Sequence, residues 1–191
     1  MRMLKVLALA AVASFSALSA SAQSADWDGI RVGYAKASFG GMSDMKGWTV
    51  GYSSLIRMSK SFPVCLGTGI DAEWVKNSDA KIDFVDVSVP LNVGIKLNVC
   101  KDIAFFPYAG GKLRGFVVGT QKVADEKVDF FESRDMAGQP FERWHAGWNV
   151  GMDVQLMCFT VGVNYGEDFT KLSPKTNDRW KTTQIRVGLN F

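Results

Sequence analysis

Few residues of the chain carry the chemistry of a reaction centre. His145 is the single histidine. As a general base it needs a nucleophile within hydrogen-bond reach, and the neighbouring polar connections offer Ser133 and Ser173. No motif ties the three together. Cys65, Cys100 and Cys158 show no CxxC spacing and no histidine cluster, so they do not read as a metal centre. In an oxidising compartment they are open to disulfide formation. The charged side chains are better ordered than either group. Arg57, Asp71, Asp86, Lys96, Lys112, Arg114, Asp153 and Arg186 each stand on the polar side of an apolar–polar alternation. A period of two is the signature of a strand with two unlike faces. These residues therefore point to one surface, where opposite charges can pair. That is the chemistry of an ion-pair network rather than of turnover.

Such a surface must be built by strands. From Val85 to Leu97 the chain reads VDVSVPLNVGIKL, apolar at every odd position. The alternation predicts eight strands, near 28–39, 48–58, 63–76, 82–97, 104–118, 142–157, 159–169 and 180–191. They exceed the roughly 5–6 residues usual in globular domains and the roughly 9–11 that cross a bilayer at a tilt. The connections alternate in length. SKSF, NVCKD and the Met157–Cys158 junction are short, whereas TQKVADEKVDFFESRDMAGQP and KLSPKTND are long and polar. No linker or low-complexity segment divides the strands.

The start of the chain follows other rules. Arg2 and Lys5 precede the apolar run VLALAAVASFSALSA, and Ala20-Ser21-Ala22 fits a small-x-small cleavage site. Residues 1–22 are expected to be a cleaved signal peptide, and 23–191 a single domain. Removing the two basic residues takes the formal charge from +3 to +1, too balanced to argue for nucleic acid. No run of eighteen apolar residues follows residue 22, so no membrane-spanning helix is available. An exported, helix-poor chain of this hydrophobicity folds either as a soluble β domain or as a membrane barrel.

Alternation alone does not choose between the two; the glycines do. Gly33, Gly51, Gly67, Gly69, Gly94, Gly147, Gly151, Gly162 and Gly188 share the face with the charges. A soluble barrel wets that face and has no reason to crowd small residues there. The interior of an eight-stranded barrel has room only for its own side chains. Aromatics collect toward strand ends, Trp48, Trp74, Trp144 and Trp180 at one and Phe105, Phe159 and Phe191 at the other, as bilayer interfaces favour. The expectation is an all-β fold, an eight-stranded antiparallel transmembrane β-barrel of up-and-down topology. Its valines meet lipid and its charges fill the lumen. An unpartnered buried charge costs several kcal/mol, so the lumen set is expected to pair into a mixed-sign plug. Arg31, Glu73 and Arg143 share the lumen parity, with the rims as their alternative place. The three cysteines fall at the short-turn end. Cys65 starts the third strand and Cys100 follows the fourth, so a Cys65–Cys100 bridge is the preferred pairing, with three unpaired thiols as the alternative.

The stretches VSVPLNVGIKLN, PYAGGKLRGFVVG, GWNVGMDVQL and QIRVGLNF resemble the small porin-like outer-membrane β-barrel family of Gram-negative bacteria. The architecture is similar to that of the outer-membrane protein A transmembrane domain and the opacity proteins. Pro90, which withholds a ladder donor, has counterparts in that family. Ile185, Val187 and Leu189, alternating to the terminal Phe191, resemble the signal read by the outer-membrane assembly machinery. The resemblance implies a place in the bacterial outer membrane, with its lipids and that machinery as partners, and implies no cofactor. It does not imply one activity. A non-enzymatic structural or surface-interaction role is the first expectation, and a small-solute channel the second. A few barrels of this size are lipid-modifying enzymes that use a His with a Ser near the outer leaflet. The lumen parity of His145 argues against that role. The stretch 119–141, with Phe130 and Phe131 among mixed charges, is expected to prolong its hairpin, and adhesion would reside there.

Overall fold

The computed structural model describes residues 25–40, 44–59, 61–123, 126–131, 141–172 and 178–191. The expected signal peptide, Ser133 and Ser173 lie outside them. Ten strand segments follow in order: β1 (Ala25–Ser38), β2 (Met45–Arg57), β3 (Val64–Asn77), β4 (Ile82–Ile95), β5 (Leu97–Cys100), β6 (Ile103–Val123), β7 (Glu126–Asp129), β8 (Trp144–Leu156), β9 (Phe159–Lys171) and β10 (Arg179–Asn190). β5 continues β4 beyond Lys96, and both pair with β6. β7 folds back on the end of β6. The other segments each pair antiparallel with their neighbours in sequence, and β1 closes on β10, Gly29 facing Asn190 and Ser38 facing Lys181. The result is a closed eight-stave barrel. A strand of 14 residues such as β3 is about 46 Å long at ~3.3 Å per residue. Tilted by roughly 40°, it spans the ~25 Å apolar band of an outer-membrane barrel with residues to spare.

The faces are sorted as a membrane requires. Along β4, Leu91 is 55% exposed and Asp86 is 0% exposed. Ile30 and Val32 on β1, Val161 and Val163 on β9, and Val187 and Leu189 on β10 carry the apolar belt around the wall. A domain folded in water would bury these side chains and expose the charges. Closure removes the sheet edges, so backbone groups on the lipid side are bonded within the wall.

Two local departures from ideal pairing have identifiable causes. The β3–β4 ladder runs from Thr68 opposite Leu91 to Asp71 opposite Ser88, skipping Gly69 and Ile70. Pro90 lies in the gap and has no N–H to give. Thr68 Oγ1 donates to its carbonyl at 3.2 Å instead. In β6, Val118 faces Val85 while Phe116 faces Asp86, so Val117 is the extra residue of a bulge. Val117 and Val118 consequently both face outward, and Phe116 turns in. At the other end, Met157, with φ 55°, makes a two-residue turn between Leu156 and Phe159, the tight hairpin geometry that strand twist favours.

The lumen is apolar at the long-connection end. Phe39, Phe84, Phe116, Phe130, Phe131 and Trp180 form one buried cluster there. Phe84 stacks on Phe130 with ring centroids 5.4 Å apart and meets Trp180 edge-on at 5.0 Å. The backbone fixes this arrangement, with Phe130 N donating to Gly119 O and Phe141 N to Phe130 O. Trp180 thus departs from the expectation that placed it in the outer girdle. Its position shares a face with Thr182, Gln184 and Arg186, and strand parity outweighs the aromatic preference for an interface. Trp48, Trp74 and Trp144 do lie on the outside. Of the 119–141 stretch, β7 prolongs the hairpin by pairing with the end of β6, and Phe130 and Phe131 turn into the mouth; residues 124–125 and 132–140 lie outside the described residues.

Candidate functional site: the charged lumen

Beneath the aromatic mouth, β4, β6, β9 and β10 bring the first layer of charge together. Arg114 Nε lies 3.4 Å from Asp86 Oδ1, and Arg114 Nη1 lies 3.9 Å from Asp168 Oδ2. The guanidinium also sits 5.4 Å from the Trp180 ring centre, where a cation gains from the face of the ring. Lys112 Nζ and Arg114 Nη2 both donate to Thr182 Oγ1, at 3.3 and 3.4 Å. Gln184 Nε2 donates to Glu73 Oε2 at 2.6 Å. A neutral rung follows, in which Asn149 Nδ2 donates to Asn92 Oδ1 at 2.7 Å.

The second layer centres on Arg186. Its Nη1 is 3.6 Å from Asp71 Oδ2, and its Nη2 is 3.7 Å from Asp153 Oδ1 and 2.8 Å from Tyr108 Oη, which accepts from it. Arg31 joins this group electrostatically, within range of both carboxylates. Toward the short turns, Trp27, Leu55, Cys65, Phe106 and Tyr108 pack together, and Lys96 Nζ lies 5.2 Å from the Trp27 ring centre.

Glycine makes this filling possible. A side chain at Gly51 would meet Asp71 Oδ1, and one at Gly162 would meet Asp153 Oδ1. At Gly151 a Cβ would stand 2.5 Å from Tyr108 Oη. Each bulky polar side chain is thus laid over a bare backbone on a neighbouring strand.

The buried charges are of mixed sign. Among the described residues, Arg31, Lys96, Lys112, Arg114 and Arg186 are buried cations, and Asp28, Asp71, Glu73, Asp86, Asp153 and Asp168 are buried anions. Five stand against six. A cavity of about 30 Å³ remains between the Arg186 layer and the short-turn cluster, lined by Leu55, Asp71, Phe106, Tyr108, Asp153 and Arg186 among others. That is room for about two waters.

His145 belongs to the same filling. Its side chain is 0% exposed. Nε2 lies 2.9 Å from the Glu142 carbonyl, which can only accept, so the proton is assigned to Nε2. Thr170 Oγ1 lies 2.8 Å from Nδ1 and accepts from Ala146 N, so its own hydrogen is directed to Nδ1. Asp168 Oδ2 is 3.8 Å from that same Nδ1. A nucleophile–base–carboxylate relay needs the nucleophile and the carboxylate on opposite ring nitrogens. Here both crowd one nitrogen, a main-chain carbonyl occupies the other, and the ring is sealed from solvent.

Seven of the eight residues expected in the network are buried in the lumen; Arg57 is not. It ends β2 and is exposed at the rim, one turn of pleat beyond the buried Leu55. The parity was right and the depth was wrong. Glu73 and Arg31 are buried, whereas Arg143 sits at the mouth, 4.5 Å from the Phe131 ring centre. The expected Cys65–Cys100 bridge is absent: no disulfide joins the cysteines, Cys65 being buried and Cys100 and Cys158 exposed. Register explains it. Cys65 faces Gly94, six positions before Cys100, a separation of roughly 20 Å along a strand against the ~7 Å limit between bridged Cα atoms. Asp168, Tyr108 and Asn164 went unnamed in the sequence reading although all three sit on lumen-parity positions. The bulge at Val117 left no sequence signal.

A closed sheet, apolar outside and charged and filled within, defines a transmembrane β-barrel of the outer-membrane type. The sequence matches the family described as outer membrane protein beta-barrel domain over residues 6–191, and the chain belongs to that family. It is a protein of the bacterial outer membrane. No curated protein matches the sequence. Among solved structures it is similar to Neisserial surface protein A, at 17% identity over 86% of this chain and 96% of that one, with a TM-score of 0.56. It is also similar to the outer membrane enzyme PagL, at 14% identity over 83% of this chain and 98% of that one, with a TM-score of 0.59. At such identities the likeness shows the fold alone.

Proposed function

We propose that this barrel is a non-enzymatic, non-conducting outer-membrane protein whose closed lumen serves as a rigid anchor for its long connections. The observation that carries this reading is the filled interior, with two mixed-sign charge layers stacked under an aromatic mouth. An open pore leaves its lumen charges to water, where they need no partners. Here they are buried against one another, and the mouth is closed by rings held through the main chain of the β7 hairpin. Catalysis finds no support in His145, whose two nitrogens are already engaged away from solvent. The outward role then falls to the connections at the aromatic end, which long outer loops of such barrels typically present at the cell surface. Planar-bilayer recordings of the purified, refolded protein provide the test. The expected result is a flat baseline; reproducible single-channel steps from the folded form would replace this reading with the channel.

A further inference from the structure

We propose that the outer wall of β1–β3, at the long-connection end, holds one phosphorylated, multiply acylated glycolipid of the outer leaflet. Lys36, Lys46 and Lys76 stand side by side on the outward face of three adjacent strands, Lys36 opposite Lys46 and Lys46 opposite Lys76. All three are exposed. Like charges directly opposite each other destabilise a sheet, so an anion bound between them relieves a real cost. Asp44 engages Lys36 at 2.7 Å, and Asp83 faces Lys76 from β4. Against these two carboxylates the row keeps one surplus positive charge, centred on Lys46.

Next to the row, toward the middle of the wall, the surface turns aromatic and then apolar. Trp48 faces Trp74 across β2 and β3. A groove of about 230 Å³ lies between Tyr34, Lys46, Trp48, Trp74 and Lys76. A second groove, of about 340 Å³, shares both tryptophans and is lined by Val32, Val50, Ala72 and Val85. The order is cation, amphipathic ring, apolar furrow, which is the order of phosphate, sugar and acyl chain in such a lipid. A soluble anion would use only the lysines, and an uncharged acyl chain only the furrow. A peptide partner is disfavoured because the furrow lies at the depth of the hydrocarbon.

The inference rests on the outer-membrane placement of this end, not on whether the lumen conducts. It is tested with the refolded full barrel in detergent micelles, titrated with bis-phosphorylated lipid A or with the same lipid dephosphorylated, and read by native mass spectrometry. The wild type is expected to retain the phosphorylated form preferentially. Lys46→Glu with Lys76→Glu should weaken that binding by about tenfold or more, since each basic residue near an anionic lipid contributes on the order of 1 kcal/mol. Lys101→Glu, at the short-turn end, should leave it unchanged. Heat-modifiable gel mobility reports folding; if the charge-reversed protein does not fold, Lys46→Gln with Lys76→Gln carries the test with a smaller expected loss. Equal binding of the two lipids, unaltered affinity in the double variant, or an equal loss from Lys101→Glu would each overturn the proposal.

Discussion

Replacing Arg186 by methionine tests the physical basis of the filled lumen most directly. The guanidinium stands 3.6 Å from Asp71 and 3.7 Å from Asp153, with Tyr108 Oη at 2.8 Å, and its side chain is 10% exposed. With it gone, the second layer holds two carboxylates against Arg31 alone. Removing one partner of a buried ion pair costs about 3–5 kcal/mol, because the surviving charge is left in a medium that cannot solvate it. Methionine keeps most of the volume and adds no polar group, so the loss should be electrostatic rather than a cavity effect. Adding Asp153→Asn restores the count to one cation and one anion and should recover at least half of the loss. The assay is urea-driven equilibrium unfolding in lipid vesicles, followed by tryptophan emission, on both singles and the double. The coupling between the two positions should amount to about 1–3 kcal/mol. An Arg186→Met cost below about 1 kcal/mol, or a double variant less stable than either single, would show that the layer is solvated and that the plug is not what closes the lumen.

Three further outcomes follow from the same structure. Leu91→Arg, on the outer wall about midway between the two interfaces, should lower stability in vesicles by about 2–4 kcal/mol, whereas Leu97→Arg near the short turns should cost about 0–1 kcal/mol; equal costs at both depths would contradict the lipid-facing assignment. Trp180→Ala empties the centre of the aromatic mouth and should cost about 3–5 kcal/mol, and planar-bilayer recordings should show leak events that the parent protein lacks. A polar maleimide should label Cys100 and Cys158 on the folded barrel and leave Cys65 unmodified until unfolding, and gel mobility should not change on reduction; labelling of Cys65 at the rate of Cys158 would mean that the short-turn end is open.

The alternation of Val85 to Leu97, with glycines interleaved among charges, was enough to establish a barrel turned apolar side outward. Alternation is a property of neighbouring residues, and a period of two survives whatever the rest of the chain does. The same local rule carried Asp86, Lys112, Arg114, Asp153 and Arg186 to the lumen, because each is flanked by side chains that must face lipid. Parity also held the answer for Trp180, where a general preference of tryptophan for interfaces was allowed to override it.

Depth and partnership were a different matter. Arg57 has lumen parity but lies past the last buried residue of β2, and only the shear between strands decides where the lumen ends. Cys65 and Cys100 lie at the same end of consecutive staves, yet the register that opposes Cys65 to Gly94 leaves Cys100 six positions on, at the far end of β5. The bulge at Val117 reverses parity in mid-strand, and Phe130 and Phe131 enter the mouth because β7 bends them back over it. That Arg114 meets Asp168, and Arg186 meets Asp71, depends on strands far apart in sequence being brought across a lumen a few side chains wide. The amino-acid order determined which face each residue takes, since that is settled between neighbours; closure of the barrel decided which charges meet, since that is settled between strands.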